Sequence, residues 1–474
     1  MLKFTGNPLV DIGASTIVAF SKKRDISSVS LEDMEDMANY IYENYPQKPL
    51  QGFLQGAIFA NSGYTNPNIS EEARTESIQQ RLFAFHNEPD AHLPPCAICG
   101  SPASLRVERD YFPLLTGRNV INFYPNGNAG LPICGTCLLC VQAYPLGSAG
   151  LKVLVHSDSP KVTLHFAKAF LEENRVHIDI GKKSGEKEAL RTEKTINTLI
   201  INTLLDADFM RSDKDENEPP FSITVYAISN YGPDPSLSIH HLPSQIISFL
   251  GKMNSAEYLS SWNAIVLRAW ETPFEKRGKQ EQSKKFVPRK NYLYEDLFNL
   301  PENAIRFLRV YLLRIAVRYT KDNKSDPRAN YSLKQESKLV SWKITDSFIR
   351  SILNMDKSIV EQIRNLGDKL GDYVHQTGDK SFYTQFFAER RYDYFRDLLM
   401  QVNRKQLKAL KPPIITLDEF YYVFEADIDD IPRYDRWKLA RDLVLIRMTE
   451  YLYQSGQIQD LAEALPEQDD TVQE

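Results

Sequence analysis

The stretch LPICGTCLLC, residues 131–140, places three cysteines within seven positions, and the chain has a second cysteine pair in CAIC at 96–99. A structural zinc ion takes four tetrahedral nitrogen or sulfur ligands. Two CxxC turns supply them, because the two-residue gap lets both sulfurs of a turn face one ion. The sequence therefore predicts a zinc site built from two separated turns.

Two pairs in the second stretch can complete this site, either Cys134 with Cys137 or Cys137 with Cys140. We favour the first pair, because Gly135 lies inside it and lets the backbone turn tightly. Two bulky leucines occupy the alternative turn. LLCVQAY reads instead as a helix leaving the site, with Cys140 as a buried thiol. The predicted zinc ligands are Cys96, Cys99, Cys134 and Cys137.

The region from 92 to 145 is thus predicted to be a zinc-knuckle subdomain with a structural role. Structural zinc sites are closed, without a free coordination position. Nucleases that place a histidine–metal motif between zinc knuckles need a histidine there, and none occurs between His92 and His156. No phosphate-binding G-x-x-x-x-G-K-[ST] loop and no G-x-S-x-G motif is present either. We expect a protein that is not an enzyme.

Length and composition set the class of protein. A chain of 474 residues is too long for one core, so several domains are expected. No apolar run approaches the ~20 residues that span a bilayer, and the N-terminus lacks the pattern of a signal peptide. Five cysteines are too few to crosslink such a chain and their number is odd. We expect a cytoplasmic, reduced protein without a membrane partner.

The order of hydrophobic patterns predicts an α+β fold that is mixed at the N-terminus and helical towards the C-terminus. We expect an N-terminal domain over 1–330, a helical bundle over 331–474 and a disordered acidic tail at 466–474. The predicted strands are 151–158, 162–168, 173–181 and 221–232. The predicted helices of the later part are 302–319, 334–353, 356–374, 385–410 and 436–454.

Charge is distributed unevenly along the chain. The net charge is −5, yet residues 276–350 hold 18 Lys and Arg against 8 Asp and Glu, a local charge of +10. Such a block suits a polyanion, because lysine and arginine neutralise phosphate without reading sequence. A solvated helical surface is the alternative. The candidate nucleic-acid contacts are Lys276, Arg277, Lys279, Lys284, Lys285, Arg289 and Lys290, with Arg306 and Arg309 on one face of the predicted helix.

Three motifs in order, TGNPLVDIG at 5–13, IFANSGYTNPN at 58–68 and the CAICG…CGTC pair, resemble the large subunit of type I-B CRISPR Cascade, the CXXC–CXXC group. The resemblance covers about the first 145 residues by motif and the remainder by the order of its parts. It implies a non-catalytic subunit of a crRNA-guided complex in antiviral defence, in which base pairing reads the target and the protein reads only a short PAM.

The resemblance also implies partners and a division of labour. The N-terminal part would sit at the crRNA 5′ end, read the PAM in double-stranded DNA and help to open the duplex. The C-terminal bundle would resemble the small subunit, line the displaced strand and help to recruit the helicase-nuclease. Further expected partners are the backbone subunits, the subunit that caps the 5′ handle and separate small subunits. Met355 is a candidate internal start for such a small subunit, or simply a core methionine.

The PAM-reading residues cannot be aligned from the family, but short polar side chains on Gly- and Asn-rich loops can approach a groove closely. Asparagine also makes ordinary turns, which is the alternative for each position. The candidates are Asn7, Asn61, Ser62, Asn126 and Asn128. Two other functions stay open at this point: a zinc-ribbon nuclease with unrecognised acidic ligands, and a stand-alone DNA-binding regulator.

Overall fold

A computed structural model shows two compact units. The first comprises Met1–Phe209 with Glu216–Ser244, and the second comprises Met210–Asp215 with Gln245–Glu474. The predicted division into an N-terminal domain over 1–330 and a helical bundle over 331–474 stays a prediction. The structure describes residues 2–63, 65–117, 120, 128–185, 190–211, 219–230, 235–273, 286–318, 324–425 and 433–456.

The first unit combines helices with two small antiparallel sheets, so the fold is mixed α+β as predicted. One sheet has the strand order β3-β4-β5, and β1 pairs with β2 in the other. The elements are α1 (Pro8–Phe20), α2 (Leu31–Asn44), α3 (Leu50–Ala57), α4 (Glu71–Arg81), β1 (Leu105–Val107), β2 (Leu131–Ile133), α5 (Gly135–Ala143), β3 (Val153–Ser157), α6 (Pro160–Ser184), α7 (Ile196–Leu205), α8 (Asp208–Arg211), β4 (Ile223–Ser229) and β5 (Ser236–Leu242).

Helix α1 lies at the centre of this unit, packed against α5, α6 and β3. The Asn7 side chain caps its start by accepting hydrogen bonds from two backbone N–H groups, and Pro8 occupies the first helical position. At Gly13 the helix touches α5 through its backbone, because a Cβ there would lie 1.8 Å from the Cys140 carbonyl oxygen. Only glycine permits this approach, which fixes α1 on α5.

Two predicted strands of this unit are wrong, because residues 162–168 and 173–181 both lie inside α6. The apolar residues alternate over short windows, yet Val162, Phe166 and Phe170 recur every four positions and are buried. That spacing puts them on one face of a helix. The predictions for 151–158 and 221–232 are confirmed, since β3 and β4 lie within these ranges.

The described part of the second unit is built from helices. They are α9 (Ser244–Met253), α10 (Leu259–Leu267), α11 (Tyr292–Leu297), α12 (Ala304–Phe307), α13 (Leu333–Glu336), α14 (Trp342–Ile352), α15 (Lys357–Thr377), α16 (Lys380–Ala388), α17 (Tyr392–Lys408), α18 (Leu417–Phe420) and α19 (Arg433–Gln454). The helices predicted at 356–374 and 436–454 are confirmed as α15 and α19, whereas two others are divided: 385–410 into α16 and α17, and 334–353 into α13, a 3-10 turn at Ser337–Leu339 and α14. The predicted tail 466–474 lies outside the described residues.

The helix predicted at 302–319 is wrong over most of its length. Only α12 is α-helical, a π-turn follows at Leu308–Leu312, and Arg314 has a φ of +60°. The cause is tertiary, because Arg314 is fully buried and its guanidinium donates two hydrogen bonds to one Glu336 oxygen, at 2.9 and 2.7 Å. It also lies 3.5 Å from the centre of the Tyr331 ring. The predicted exposed face of arginines therefore does not form.

Candidate metal centre

The first pair of cysteines sits on a tight turn. The N–H of Gly100 donates to the Cys96 carbonyl at 2.9 Å, and the Cys96 N–H donates to Ser101 at 2.7 Å. Gly100 has a φ of +74°, a conformation that glycine adopts without strain. This geometry turns both sulfurs of the pair to the same side.

The second pair belongs to the start of α5. Cys134 is the N-cap residue, and its sulfur accepts the Cys137 N–H at 3.5 Å. Gly135 also has a packing role that was not predicted from the sequence. A Cβ there would lie 2.1 Å from the Ala84 carbonyl carbon. It lets α5 begin directly against the 3-10 turn Ala84–His86. The missing side chain of Gly135 therefore serves the packing of α5 as well as the tight turn.

Strand pairing closes the long gap between the two turns. Strands β1 and β2 pair in register, with Leu105 opposite Ile133. Next to this ribbon the Ala97 N–H donates to the Pro132 carbonyl at 3.0 Å, and the Ser104 N–H donates to Ile133 at 3.1 Å. The backbone thus brings the 96–99 turn onto the strand that leads into α5.

The sulfur atoms of Cys96, Cys99, Cys134 and Cys137 all lie within 4.8 Å of one another. The Cys99 and Cys134 sulfurs are 3.6 Å apart. A tetrahedral zinc with Zn–S bonds of about 2.3 Å holds its sulfurs about 3.8 Å apart, so the four residues fit such an ion. Within the described residues, these cysteines are the one group of three or more His, Cys, Asp or Glu side chains that could hold a metal ion.

Crowding of the thiols changes their acidity. The pKa of the Cys96 thiol is lowered, because the Cys134 and Cys137 thiols donate hydrogen bonds to its sulfur. Hydrogen bonds from the Cys137 thiol to the Cys134 and Cys96 sulfurs, together with burial, raise the pKa of Cys137. A bound divalent cation would favour the thiolate form of every ligand. The set can hold a metal ion structurally, and a closed set of four leaves no position for a substrate.

Cys140 stands apart from the site, as predicted. It is buried on α5, where burial raises the pKa of its thiol well above the usual range. Its carbonyl faces Gly13 of α1. Its structural role is therefore in the contact between the two helices.

The N-terminal motif is a structural loop. The buried Asp11 carboxylate accepts hydrogen bonds from the Thr5 N–H at 2.7 Å and from the Gly6 N–H at 2.9 Å. His156 on β3 lies 3.1 Å from the same carboxylate. Since Asn7 caps α1, its side-chain oxygen is engaged in the fold.

The candidate loop at 58–68 borders a cavity of about 640 Å³ in the first unit. Asn61 lines it with a φ of +61°, whereas Ser62 is fully buried and hydrogen-bonded to Thr65. Of the two remaining candidates, Asn128 is exposed and Asn126 lies outside the described residues. The lining residues are Ala60, Asn61, Gly63, Asn66, Ile69, Arg109, Asp110 and Gly117.

Arg109 is a residue of this cavity that the sequence did not reveal. Its guanidinium donates to the side-chain oxygen of Asn230 at 2.9 Å and to the Asn230 carbonyl at 2.7 Å. Asn230 is fully buried and donates in turn to the Ile58 carbonyl at 2.7 Å. No local motif marks a pair 121 positions apart, so only the fold could find it.

Most of the predicted nucleic-acid contacts fall outside the described residues, namely Lys276, Arg277, Lys279, Lys284 and Lys285. Of the other four, Arg289 donates its backbone N–H to the Glu271 carboxylate, and the Lys290 ammonium lies 4.3 Å from the centre of the Tyr292 ring.

Two predicted contacts are held in ion pairs. Arg306 lies 3.6 Å from an Asp296 oxygen, and Arg309 lies 3.3 Å from an Asp442 oxygen. Both arginine side chains keep part of their surface exposed, at 23% and 29%. They contribute to the fold of the second unit in addition to any external role.

No helix in the described ranges combines the length and apolarity needed to cross a membrane. Comparisons with protein-family models, with curated proteins and with solved structures found no match.

Proposed function

We propose that the chain is the non-catalytic large subunit of a crRNA-guided complex of the type I-B Cascade kind, with zinc in its four-cysteine site. The observation that carries the proposal is the position of α5. Its first turn holds two of the four cysteines, its backbone touches the N-terminal motif, and Tyr144 directly after it touches the second motif. Three separate motifs thus meet at α5 and the residue that follows it.

The contacts of α5 are direct. Gly13, the last residue of TGNPLVDIG, lies against the carbonyl of Cys140. Phe59 of the IFANSGYTNPN motif lies edge-on to Tyr144, which follows α5, with ring centres 6.3 Å apart. A metal ion at one end of α5 would therefore fix both motifs. Its function would be to position loops.

Within this proposal the cavity beside Asn61 is the place where the N-terminal unit approaches target DNA. Asn61 presents an amide at the rim, and Arg109 is held rigidly by Asn230. Rigid amide and guanidinium groups suit base edges and phosphates. The basic segment 276–290 would contact the nucleic-acid backbone, and Met355, which is buried, would either begin a separate small subunit or serve only the core.

The test is purification of the tagged chain from cells that express its neighbouring genes. We expect a guide RNA and repeated backbone subunits to co-purify, and target binding to require the guide. Sequence-specific DNA binding by the chain without any RNA would contradict the proposal in favour of a stand-alone regulator. Metal-dependent cleavage of DNA by the purified chain would contradict it in favour of a nuclease.

A further inference from the structure

The last two turns of α17 and the residues after them form a basic surface that no motif marks. The stretch RKQLKALK, residues 404–411, carries four basic residues, and no acidic residue occurs between 398 and 416. All four side chains are exposed. We call this stretch the basic end of α17. Its basic residues are Arg404, Lys405, Lys408 and Lys411.

Most of this charge is unneutralised within the described structure. Lys405 pairs with Asp379 at 2.7 Å. Arg404, Lys408 and Lys411 make no ion pair with any residue that the structure describes. Three cations within eight positions repel one another, and a nearby polyanion relieves that repulsion.

The same surface also exposes leucines. Leu407 keeps 58% of its surface exposed and Leu410 keeps 96%. A phosphate backbone would neutralise the cations but would leave both leucines in water. A segment that carries carboxylates together with aliphatic side chains would satisfy both features.

The chain leaves the described residues at this same end of the helices. Arg447 of α19 pairs with Asp368 of α15 at 2.6 Å. One turn further along both helices, Tyr451 donates to Asp372 at 3.1 Å. The two helices therefore run parallel, and α19 ends beside the end of α15. Asp379, the partner of Lys405, lies two residues after the end of α15.

The sequence after α19 has the required composition. Residues 457–474, QIQDLAEALPEQDDTVQE, hold six acidic residues and no basic one. Ile458, Leu461 and Leu465 supply aliphatic side chains among them. Eighteen residues reach at most about 60 Å when extended, which exceeds the distance across one end of a bundle.

We propose that the acidic segment 457–474 docks on the basic end of α17 of the same chain. Its carboxylates face Arg404, Lys408 and Lys411, and its aliphatic residues cover Leu407 and Leu410. The proposal does not depend on the function proposed above.

Zero-length carboxyl–amine crosslinking of the full chain, read by mass spectrometry, tests the docking. We expect crosslinks within one chain from the acidic segment to Lys408 and Lys411. Lys357 is the control amine, since its side chain is 72% exposed at the opposite end of α15. Screening predicts that the crosslinks are lost at high salt.

A matched pair of variants separates docking from chance encounters. Arg404→Glu keeps both reporter lysines, and we expect it to reduce their crosslinks severalfold. Arg364→Glu, exposed on α15, should leave them unchanged. Leu407→Ser with Leu410→Ser should reduce them as well, because the aliphatic contact is lost. Equal crosslinking to Lys357, or no response to Arg404→Glu, would overturn the proposal. Crosslinks found only between two chains would overturn it in favour of a second copy as the occupant.

Discussion

Cys134 connects a strand, a helix and the candidate metal centre. It follows β2 directly and caps α5, where its sulfur accepts the Cys137 N–H and lies within 4.8 Å of the other three candidate ligand sulfurs. Cys140, six positions later on the same helix, is buried and faces α1. The two cysteines therefore differ in chemistry although they share an element.

Replacement of Cys134 by Ser is expected to abolish metal binding, because one of four ligands and the N-cap change together. Cys140→Ala is the matched control and should keep the metal while losing some packing. The measurement is the metal content of the purified proteins by mass spectrometry. Equal metal content in both variants would contradict the assignment of the ligands.

Gly135→Ala is expected to destabilise the first unit by about 1–3 kcal/mol, because its Cβ would overlap the Ala84 backbone. Gly117→Ala has open space around the new Cβ and no positive φ, so it should be nearly neutral. Chemical unfolding followed by circular dichroism compares the two. A similar effect of both substitutions would mean that the start of α5 can shift at low cost.

At the scale of elements, the features that depend on local residue spacing could be predicted from the sequence. The four cysteines and the strand β4 follow from patterns of a few residues. The segment 302–319 could not be predicted in this way, because Arg314 is drawn into a buried pair with Glu336, 22 positions away. The strands predicted at 162–168 and 173–181 are wrong, because apolar residues seen over only a few positions can alternate although the longer pattern repeats every four residues. The basic end of α17 is short and lies outside the basic block at 276–350, so no excess of charge over a long segment marks it.

Arg314→Met is expected to cost about 3–5 kcal/mol of stability in the second unit, because Glu336 would be left buried without this partner. Arg268 reaches the same carboxylate at 2.5 Å from a half-exposed position, so Arg268→Met should cost far less. Urea unfolding measures both variants. Adding Glu336→Leu to Arg314→Met should recover part of the loss; no recovery would show that the charge itself is not the cause.

Asp379 joins α15, α16 and α17 and gives the second unit a pH dependence. Burial opposes its ionisation, yet hydrogen bonds from Lys405 and Tyr373 lower the pKa of this carboxyl below its usual value. A lowered folded-state pKa adds stability above the unfolded-state pKa of about 3.9, and this stability is lost as pH falls through the folded-state value.

Asp379→Asn should therefore reduce stability at pH 7, and the difference from the parent should shrink as pH falls below about 4. Thermal unfolding across this pH range measures the change. Asp397→Asn, exposed on α17, is the control and should show little effect at any pH. A constant difference for Asp379→Asn across the range would assign the loss to packing.

At the scale of the whole molecule, the two units offer separate probes. The four cysteines lie in the first unit, whereas the tryptophans lie in the second, at Trp262, Trp270, Trp342 and Trp437. Tryptophan fluorescence therefore reports on the second unit alone, and circular dichroism reports on both.

Removal of the metal with a strong chelator is expected to destabilise the first unit, since metal binding contributes to folding free energy. The circular dichroism transition should shift to lower temperature, and the tryptophan transition should stay in place. The chelator should not shift the circular dichroism transition of Cys96→Ser any further, because this variant already lacks one of the four ligands. Equal shifts of both transitions would mean that the units unfold together.

Two close approaches of α5, to α1 at Gly13 and to the 3-10 turn Ala84–His86 at Gly135, also restrict how this protein can diverge. A relative that builds the same cluster must keep glycine at positions 13 and 135, because any side chain there would meet backbone atoms. Position 100 is freer: its positive φ is accessible to asparagine, and nothing lies within 4 Å of a Cβ placed there. We expect chains that share this fold to vary first at the turn and last at these two contacts, so Gly13 and Gly135 identify them better than the cysteine spacing does.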